Sequence, residues 1–532
     1  DGTDRLRVGL PVARKDGKPI TGRTHVEICV DEEVRSRPFF WSPWGTSDAY
    51  PAVSLDNKSA TLTMRPRRCE PAVEIPRDAW AFAREEDGKI VPDPKCLYVK
   101  EGLRPGWLYD LVYTGKDPRV AGLGLAAIRD GVSFFRYGEQ DRHGTANPLA
   151  GSIERAYVFG ISQSGRVIHH FLYDGLNTDE ARRIVFDGCL AHVAGSGKGL
   201  FNHRFGMATV YSLEHQGNLY PSEFFPFTPM PEKDPITGRE GDTLARARAA
   251  GHVPKIIFTQ TSTEYWARGA SLLHTDVEGK RDLEIDPNVR IYLVAGAQHL
   301  GGGPPDRGIC QNPRNTLDDR PPILRAMLVA LDRWVSAGSE PPASRYPRIA
   351  DDTLVDLGAF RESFPKIPGV GLPQAFYRPL RLDFGPRWDT EGIAEVVPPT
   401  VGPPYRTLIP AVDADGNELA GIRLPDVAVP LGTFTGWNLR AAEYGAEGTL
   451  AGLHGSYLPF SRTARERRQR GDPRPSALER YPTREAYLAQ MTEAALRLQQ
   501  DGFLLEADAV EILRTASRRQ LWDDADQGKP DD

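Results

Sequence analysis

Cysteine is scarce and unpatterned in this chain. The five present, Cys29, Cys69, Cys96, Cys189 and Cys310, show no C-x-x-C spacing, which argues against a cysteine-based structural zinc site and against a thioredoxin-like redox motif. Their odd number leaves at least one thiol without an intrachain partner. Long apolar runs are also missing: no stretch approaches the roughly 18 residues that a membrane span requires, so no membrane-spanning segment is expected. Nor is charge concentrated in one sign. Lys and Arg total 66 against 72 Asp and Glu, a formal net charge of -6, which removes nucleic acid from the expected partners. The one basic cluster, Arg462, Arg465, Arg467, Arg468 and Arg470, reads as a solvated loop. Internal repeats and low-complexity tracts are absent. The chain begins at Asp1 without a methionine or an apolar signal region, which fits a processed N-terminus and favours a secreted or periplasmic location, with the cytoplasm as the alternative. Nothing in the pattern fixes the oligomeric state.

What is present is a globular composition, 40% hydrophobic and 26% charged over 532 residues, enough for one large core or two ordinary ones. Residues 1–75 alternate apolar and polar positions, as in His25-Val26-Glu27-Ile28-Cys29-Val30, between Gly, Pro, Asn and Asp turns, and predict an antiparallel, β-rich part packed on the core. From Trp107 to Tyr113 the pattern becomes a continuous apolar strand, followed by a periodic helix over 120–135; strand-loop-helix units then continue to a last amphipathic helix from Pro322 to about Val335. Near-continuous apolar strands alternating with helices imply a mostly parallel sheet with helices on both faces, an α/β core over 76–336. A long insertion, 195–253, carries Phe201, Tyr220, Phe224, Phe225 and Phe227 and is expected to overhang the sheet as a lid. Residues 337–532 read as a mixed accessory region, strands then helices from about Thr483 and Leu505.

The chemistry centres on Tyr157-Val158-Phe159-Gly160-Ile161-Ser162-Gln163-Ser164-Gly165-Arg166, which reads strand, sharp turn, helix. Gly160-Ile161-Ser162-Gln163-Ser164 is one residue from G-x-S-x-G, the turn that lifts a serine hydroxyl clear of its backbone between strand and helix. Glu264 follows the Lys255–Gln260 strand and His299 follows the Val289–Val294 strand. The order Ser, acid, His, each at the end of its own strand, is that of α/β-hydrolases. Histidine can take the serine proton, and a buried carboxylate can fix the imidazole tautomer. Ser162, Glu264 and His299 are therefore the candidate catalytic residues. Ser164 is an alternative nucleophile, and Asp276 and Asp187 are alternative acids, although Asp187 reads as lying within a strand. The backbone N–H of Gln163 is a candidate oxyanion donor at a helix N-terminus, with Arg166 one turn along or an amide at Gly115 or Lys116 as the second. Trp266 is a candidate substrate contact, with a place in the core as the alternative. Two further patterns fail: Gly122-Leu123-Gly124-Leu125-Ala126-Ala127 lies inside a helix, and Gly195-Ser196-Gly197-Lys198-Gly199 lacks the residues of a phosphate loop and reads as a flexible loop.

The elbow Gly160-Ile161-Ser162-Gln163-Ser164-Gly165-Arg166 resembles that of glucuronoyl esterases, which implies an oxyanion role for Arg166. More of the chain, including Tyr113-Thr114-Gly115-Lys116-Asp117-Pro118, Thr263-Glu264-Tyr265-Trp266, His274-Thr275-Asp276 and Thr435-Gly436-Trp437-Asn438-Leu439-Arg440, resembles a broad bacterial group of α/β-hydrolase-domain proteins. That resemblance covers roughly residues 60 to 525 and speaks to fold rather than substrate. The expectation is an α/β-hydrolase fold with a β-rich N-terminal extension and a mixed C-terminal extension. It would be a serine esterase needing no cofactor or metal, acting on a small-molecule or carbohydrate-linked ester. Acyl transfer by the same residues and a catalytically inactive binding protein are the alternatives.

Overall fold

A computed structural model describes residues 9–40, 49–199, 201, 203–206, 213–219, 222–303, 305–318 and 320–522. Among the insertion's expected aromatics, Tyr220 lies outside the described residues.

Beside a short hairpin, Arg14–Lys15 with Lys18–Pro19, the N-terminal part forms two larger antiparallel sheets. Strands β1 (Thr21–Ile28), β2 (Val34–Pro38), β3 (Thr61–Arg65), β4 (Trp80–Glu86), β5 (Lys89–Leu103) and β6 (Leu108–Lys116) pair so that β6 lies between β1 and β3, and β5 between β2 and β4. Their facing side chains, among them Val26, Leu62, Phe82, Leu97, Tyr109 and Leu111, share one core. Within it Asp110 accepts hydrogen bonds from His25 at 2.7 Å and Arg65 at 2.7 Å, so the buried carboxylate is paired.

This arrangement corrects the reading of residues 107–113 as the start of the parallel repeat. A continuous apolar run fits the centre of an antiparallel sheet covered on both faces as well as it fits a parallel strand, and periodicity alone does not separate the two. Both strands that pair with β6 come from before residue 75, so the β-rich part runs on to residue 116.

The second unit is a parallel sheet of four strands, β7 (Tyr157–Ile161), β8 (Gly188–His192), β9 (Lys255–Thr261) and β10 (Val289–Val294), in that spatial order. Side chains alternate between its faces. Ile168, Phe171 and Leu172 of helix α2 (Gln163–Tyr173) and Leu125 of α1 (Gly124–Tyr137) pack with Cys189, Ala191, Ile256 and Phe258 on one face. Ile323, Met327, Leu331 and Trp334 of a long helix, Arg320–Ala337, pack with Leu190, Ile257 and Tyr292 on the other. Fully burying each such aliphatic or aromatic side chain contributes about 1.5–3 kcal/mol, so the two helix faces hold the sheet in place. Asp187 precedes β8 rather than lying in a strand, and its carboxylate accepts from the Ala156 N–H and pairs with Arg136.

The C-terminal region is not peripheral. Ile422, Leu424, Val427, Phe434, Leu498, Phe503 and Leu504 belong to the same core as Val294 and Met327. Ile422 also bridges in parallel to Val294 at the end of β10. The two expected helices span Arg484–Gln500 and Glu506–Ser517. Four of the five arginines read as a loop, all but Arg462, lie in a helix, Ala464–Arg470, started by the Thr463 side chain accepting from the Glu466 N–H.

Candidate active site

The parallel register brings Ile161 beside His192, His192 beside Thr259, and Thr261 beside Val294, so the strands end together. Ser162, Glu264 and His299 all lie just beyond those carboxyl ends, where an open α/β sheet leaves its crevice. His299 Nε2 is 2.8 Å from Ser162 Oγ. His299 Nδ1 is 2.5 Å from Glu264 Oε1. The structure thus joins three side chains that are 137 and 35 residues apart in sequence into one hydrogen-bonded line.

The elbow's small residues have direct steric causes. Ser162 has φ 57° and ψ -116°, a left-handed conformation that costs a non-glycine residue of order 1–3 kcal/mol and persists only where its surroundings enforce it. Here the Ser162 N–H donates to the His192 carbonyl at 2.8 Å and its own carbonyl accepts from the Arg166 N–H at 3.0 Å. A Cβ on Gly160 would lie 2.4 Å from the Ser164 carbonyl oxygen, and one on Gly165 would lie 3.0 Å from that of His192. Gln163 is the first residue of α2, so its N–H points out of a helix N-terminus. Ser164 is exposed on the same helix, and it is Ser162 that meets His299.

Glu264 is held twice. While Oε1 faces His299, Oε2 accepts from the Thr261 N–H at 2.9 Å and from the Thr261 hydroxyl. This is the return half of a capping box at the start of α3 (Ser262–Ala267), where Thr261-x-x-Glu264 has the required spacing. Burial pushes the Glu264 carboxyl up, but the neighbouring His299 and the bonds from His299 and Thr261 outweigh it and hold the group below the ordinary carboxylate range. The alternative acid Asp276 accepts instead from Lys280 N–H and pairs with Arg281.

Arg166 is 3% exposed, and its stem lies 3.3 Å from the position a Gly197 Cβ would take. Glu223 Oε1 lies 3.0 Å from that same position and accepts from Arg268 Nη1 at 3.3 Å; Tyr377 donates to its other oxygen at 3.2 Å. A buried polar cluster therefore adjoins the elbow helix, built by residues the sequence reading did not single out. Its members come from the insertion, from the end of α3 and from the C-terminal region, with no spacing to announce them.

Three expectations about the surroundings are corrected. Trp266 is 2% exposed and packs against Phe360, Phe376 and Trp437, so it is core rather than a substrate contact. Gly115 and Lys116 are strand residues: Gly115 pairs with Gly22, and the Lys116 N–H donates to the Pro51 carbonyl at 3.0 Å, so that amide is engaged away from the serine. The 195–199 segment is buried rather than a flexible loop. Lys198 Nζ donates to the carbonyl oxygens of Phe224, at 2.8 Å, and Pro226, and burial pulls its amine down to about 7. Phe227 is buried against Tyr405, whereas Phe225 lines a cavity of about 350 Å³ with Arg239, Trp388 and Tyr405. Among the described residues no three His, Cys, Asp or Glu side chains group as a metal site would require, and no helix is long and apolar enough to cross a membrane.

The chain matches the family described as an alpha/beta hydrolase domain over residues 102–514, and it belongs to that family. No curated protein and no solved structure matches it.

Proposed function

Taking membership of the alpha/beta hydrolase family as the premise, we propose that the chain is a serine hydrolase that cleaves carboxylic esters through an acyl-enzyme. Ser162 is the nucleophile, His299 the general base and then the general acid, and Glu264 the acid that orients the imidazole. The observation that carries this reading is the pair of hydrogen bonds from Glu264 through His299 to Ser162, 2.5 and 2.8 Å long, at the ends of three strands of one parallel sheet. Donation from His299 Nδ1–H to ionised Glu264 leaves Nε2 as the acceptor facing Oγ, the tautomer general-base catalysis needs.

The steps follow from that geometry. Oγ attacks the ester carbonyl carbon as its proton passes to Nε2, and the carbonyl π electrons move to oxygen. The resulting oxyanion is stabilised by the Gln163 N–H at the helix N-terminus and by Arg166 one turn along. Collapse expels the alcohol, which takes the proton from Nε2. Water then attacks the acyl-enzyme with His299 again as base, releasing the acid and restoring Ser162. Glu264 stays ionised throughout and stabilises the imidazolium.

The substrate in this reading is a small-molecule or carbohydrate-linked ester. The elbow's likeness to that of glucuronoyl esterases makes esters of sugar acids the natural members of a panel alongside aryl and alkyl esters. On an aryl ester such as p-nitrophenyl acetate, Ser162→Ala should lower kcat by at least about 10⁴-fold, and Glu264→Gln by about 10³–10⁴-fold. Asp276→Ala should retain wild-type turnover. Near-wild-type turnover by folded Glu264→Ala, with loss in Asp276→Ala, would assign the acid elsewhere.

A further inference from the structure

One buried carboxyl has no part in the steps above yet touches both loops that carry them. Glu418 is 4% exposed. Its Oε1 accepts from the hydroxyl of Ser262, the first residue of α3 and two before Glu264. Its Oε2 accepts at 2.8 Å from the N–H of Gly296, in the loop that leads from β10 to His299. One side chain thus holds a donor from the acid-bearing segment and a donor from the histidine-bearing segment on its two oxygens.

The backbone that delivers Glu418 is itself fixed to the site. The Asp413 N–H donates to the Asn417 carbonyl at 2.8 Å and the Asn417 N–H to the Asp413 carboxylate at 3.0 Å, closing the turn. The Asn417 side chain donates to Gly432 and accepts from the Phe434 N–H. Four residues past Glu418, the Ile422 N–H donates to Leu293 and the Ile422 carbonyl accepts from the Ala295 N–H, on either side of the end of β10. Among the described residues no lysine or arginine forms an ion pair with Glu418, and burial pushes its carboxyl up to about 7. A buried carboxyl without a paired cation weakens a fold rather than strengthening it. What it supplies here is a fixed distance between two loops.

We propose that Glu418 is a positioning residue that ties the loop bearing Glu264 to the loop bearing His299. It sets the spacing across which Glu264 orients the imidazole, and it makes the C-terminal region part of the reaction geometry. The proposal rests on reading Ser162, His299 and Glu264 as the triad. Misplacement of reacting groups by about 1 Å costs on the order of 10²-fold in rate, which bounds the expected effect.

The test uses the full chain and p-nitrophenyl acetate, with Glu418→Ala, Glu418→Gln, Ser262→Ala, the Glu418→Ala/Ser262→Ala double variant and Ser162→Ala. Glu418→Ala should lower kcat by about 10–100-fold with little change in KM. Glu418→Gln should recover most of the loss, because its carbonyl oxygen accepts from Gly296 and its amide donates to the Ser262 hydroxyl. The double variant should be no slower than Glu418→Ala alone, since Ser262 acts through Glu418. Wild-type kcat in folded Glu418→Ala, or additive losses in the double variant, would overturn the proposal while Ser162→Ala stays inactive. If Glu418→Ala does not fold, Ser262→Ala decides: a lowered kcat at unchanged KM supports the tie, and unchanged kcat overturns it. Full turnover by Ser162→Ala would overturn the triad reading itself, and the proposal with it.

Discussion

At the scale of single residues the site is governed by lack of space and by groups that serve two purposes. Gly160→Ala would push a methyl to 2.4 Å from a backbone oxygen of the elbow, so we expect both a fall in stability of about 1–3 kcal/mol and loss of most turnover, read by urea denaturation and ester kinetics. Arg166→Ala, in a folded protein, should lower kcat by about 10²–10³-fold if the guanidinium helps hold the oxyanion. Unchanged turnover would leave backbone amides alone in that role. Trp266→Ala, by contrast, empties part of an aromatic core cluster and should cost about 3–5 kcal/mol of stability, measured by denaturant midpoint. In the fraction that remains folded, KM should be unchanged. The serine, histidine and glutamate were legible because each follows a strand and their chain order is informative. For Trp266 the sequence does not separate core from substrate contact, because an aromatic two residues from a candidate acid looks the same whether it faces a crevice or a core.

At the scale of elements, what was legible depended on whether a segment's partners were close in sequence. The strand-turn-helix at Tyr157–Tyr173 carries its own signals, a β-favouring run, small residues and then helical spacing, and the structure follows them. The strand at Leu108–Lys116 does not, because its neighbours are strands some 45 to 90 residues earlier, and a buried run looks alike in either sheet type. Glu418 is the extreme case: its partners lie 156 and 122 residues away, and it comes just after an ordinary Asp-Gly turn, bridged to Val412. The C-terminal helices were readable as helices, but their place in the core was not. Phe503 packs edge-on to Tyr292 of β10 at 5.4 Å, and Arg345 pairs with Asp501 at 2.7 Å. Truncation after residue 482 should therefore abolish the cooperative thermal transition rather than trim an appendage. A truncated chain that melts cooperatively and keeps its activity would show the helices to be dispensable.

At the scale of the whole molecule, buried titratable groups set how stability depends on pH. Burial holds His169, His192, His203 and His274 down to about 3, and His215 and His454 down to about 4, from an ordinary 6.5. These histidines take up protons on unfolding below pH 6.5, so the stability they contribute is lost as pH falls from there. Glu214 and Glu418, pushed up to about 7, and Glu232, to about 8, act in the opposite sense. They keep protons that the unfolded chain releases above about 4.5, so their contribution is lost as pH rises. The histidines outnumber the carboxyls, and each net proton taken up on unfolding is worth about 1.4 kcal/mol per pH unit. Tm should therefore fall as pH is lowered from 6 to 4; a Tm that rises over that range would contradict these assignments. Above this stands the claim that three strand ends converge on one activated serine, and covalent labelling tests it most directly. A fluorophosphonate probe should modify the native chain at Ser162, located by peptide mass spectrometry, and should fail to modify Ser162→Ala or heat-unfolded protein. An adduct at Ser164, or no adduct on the native chain, would contradict it.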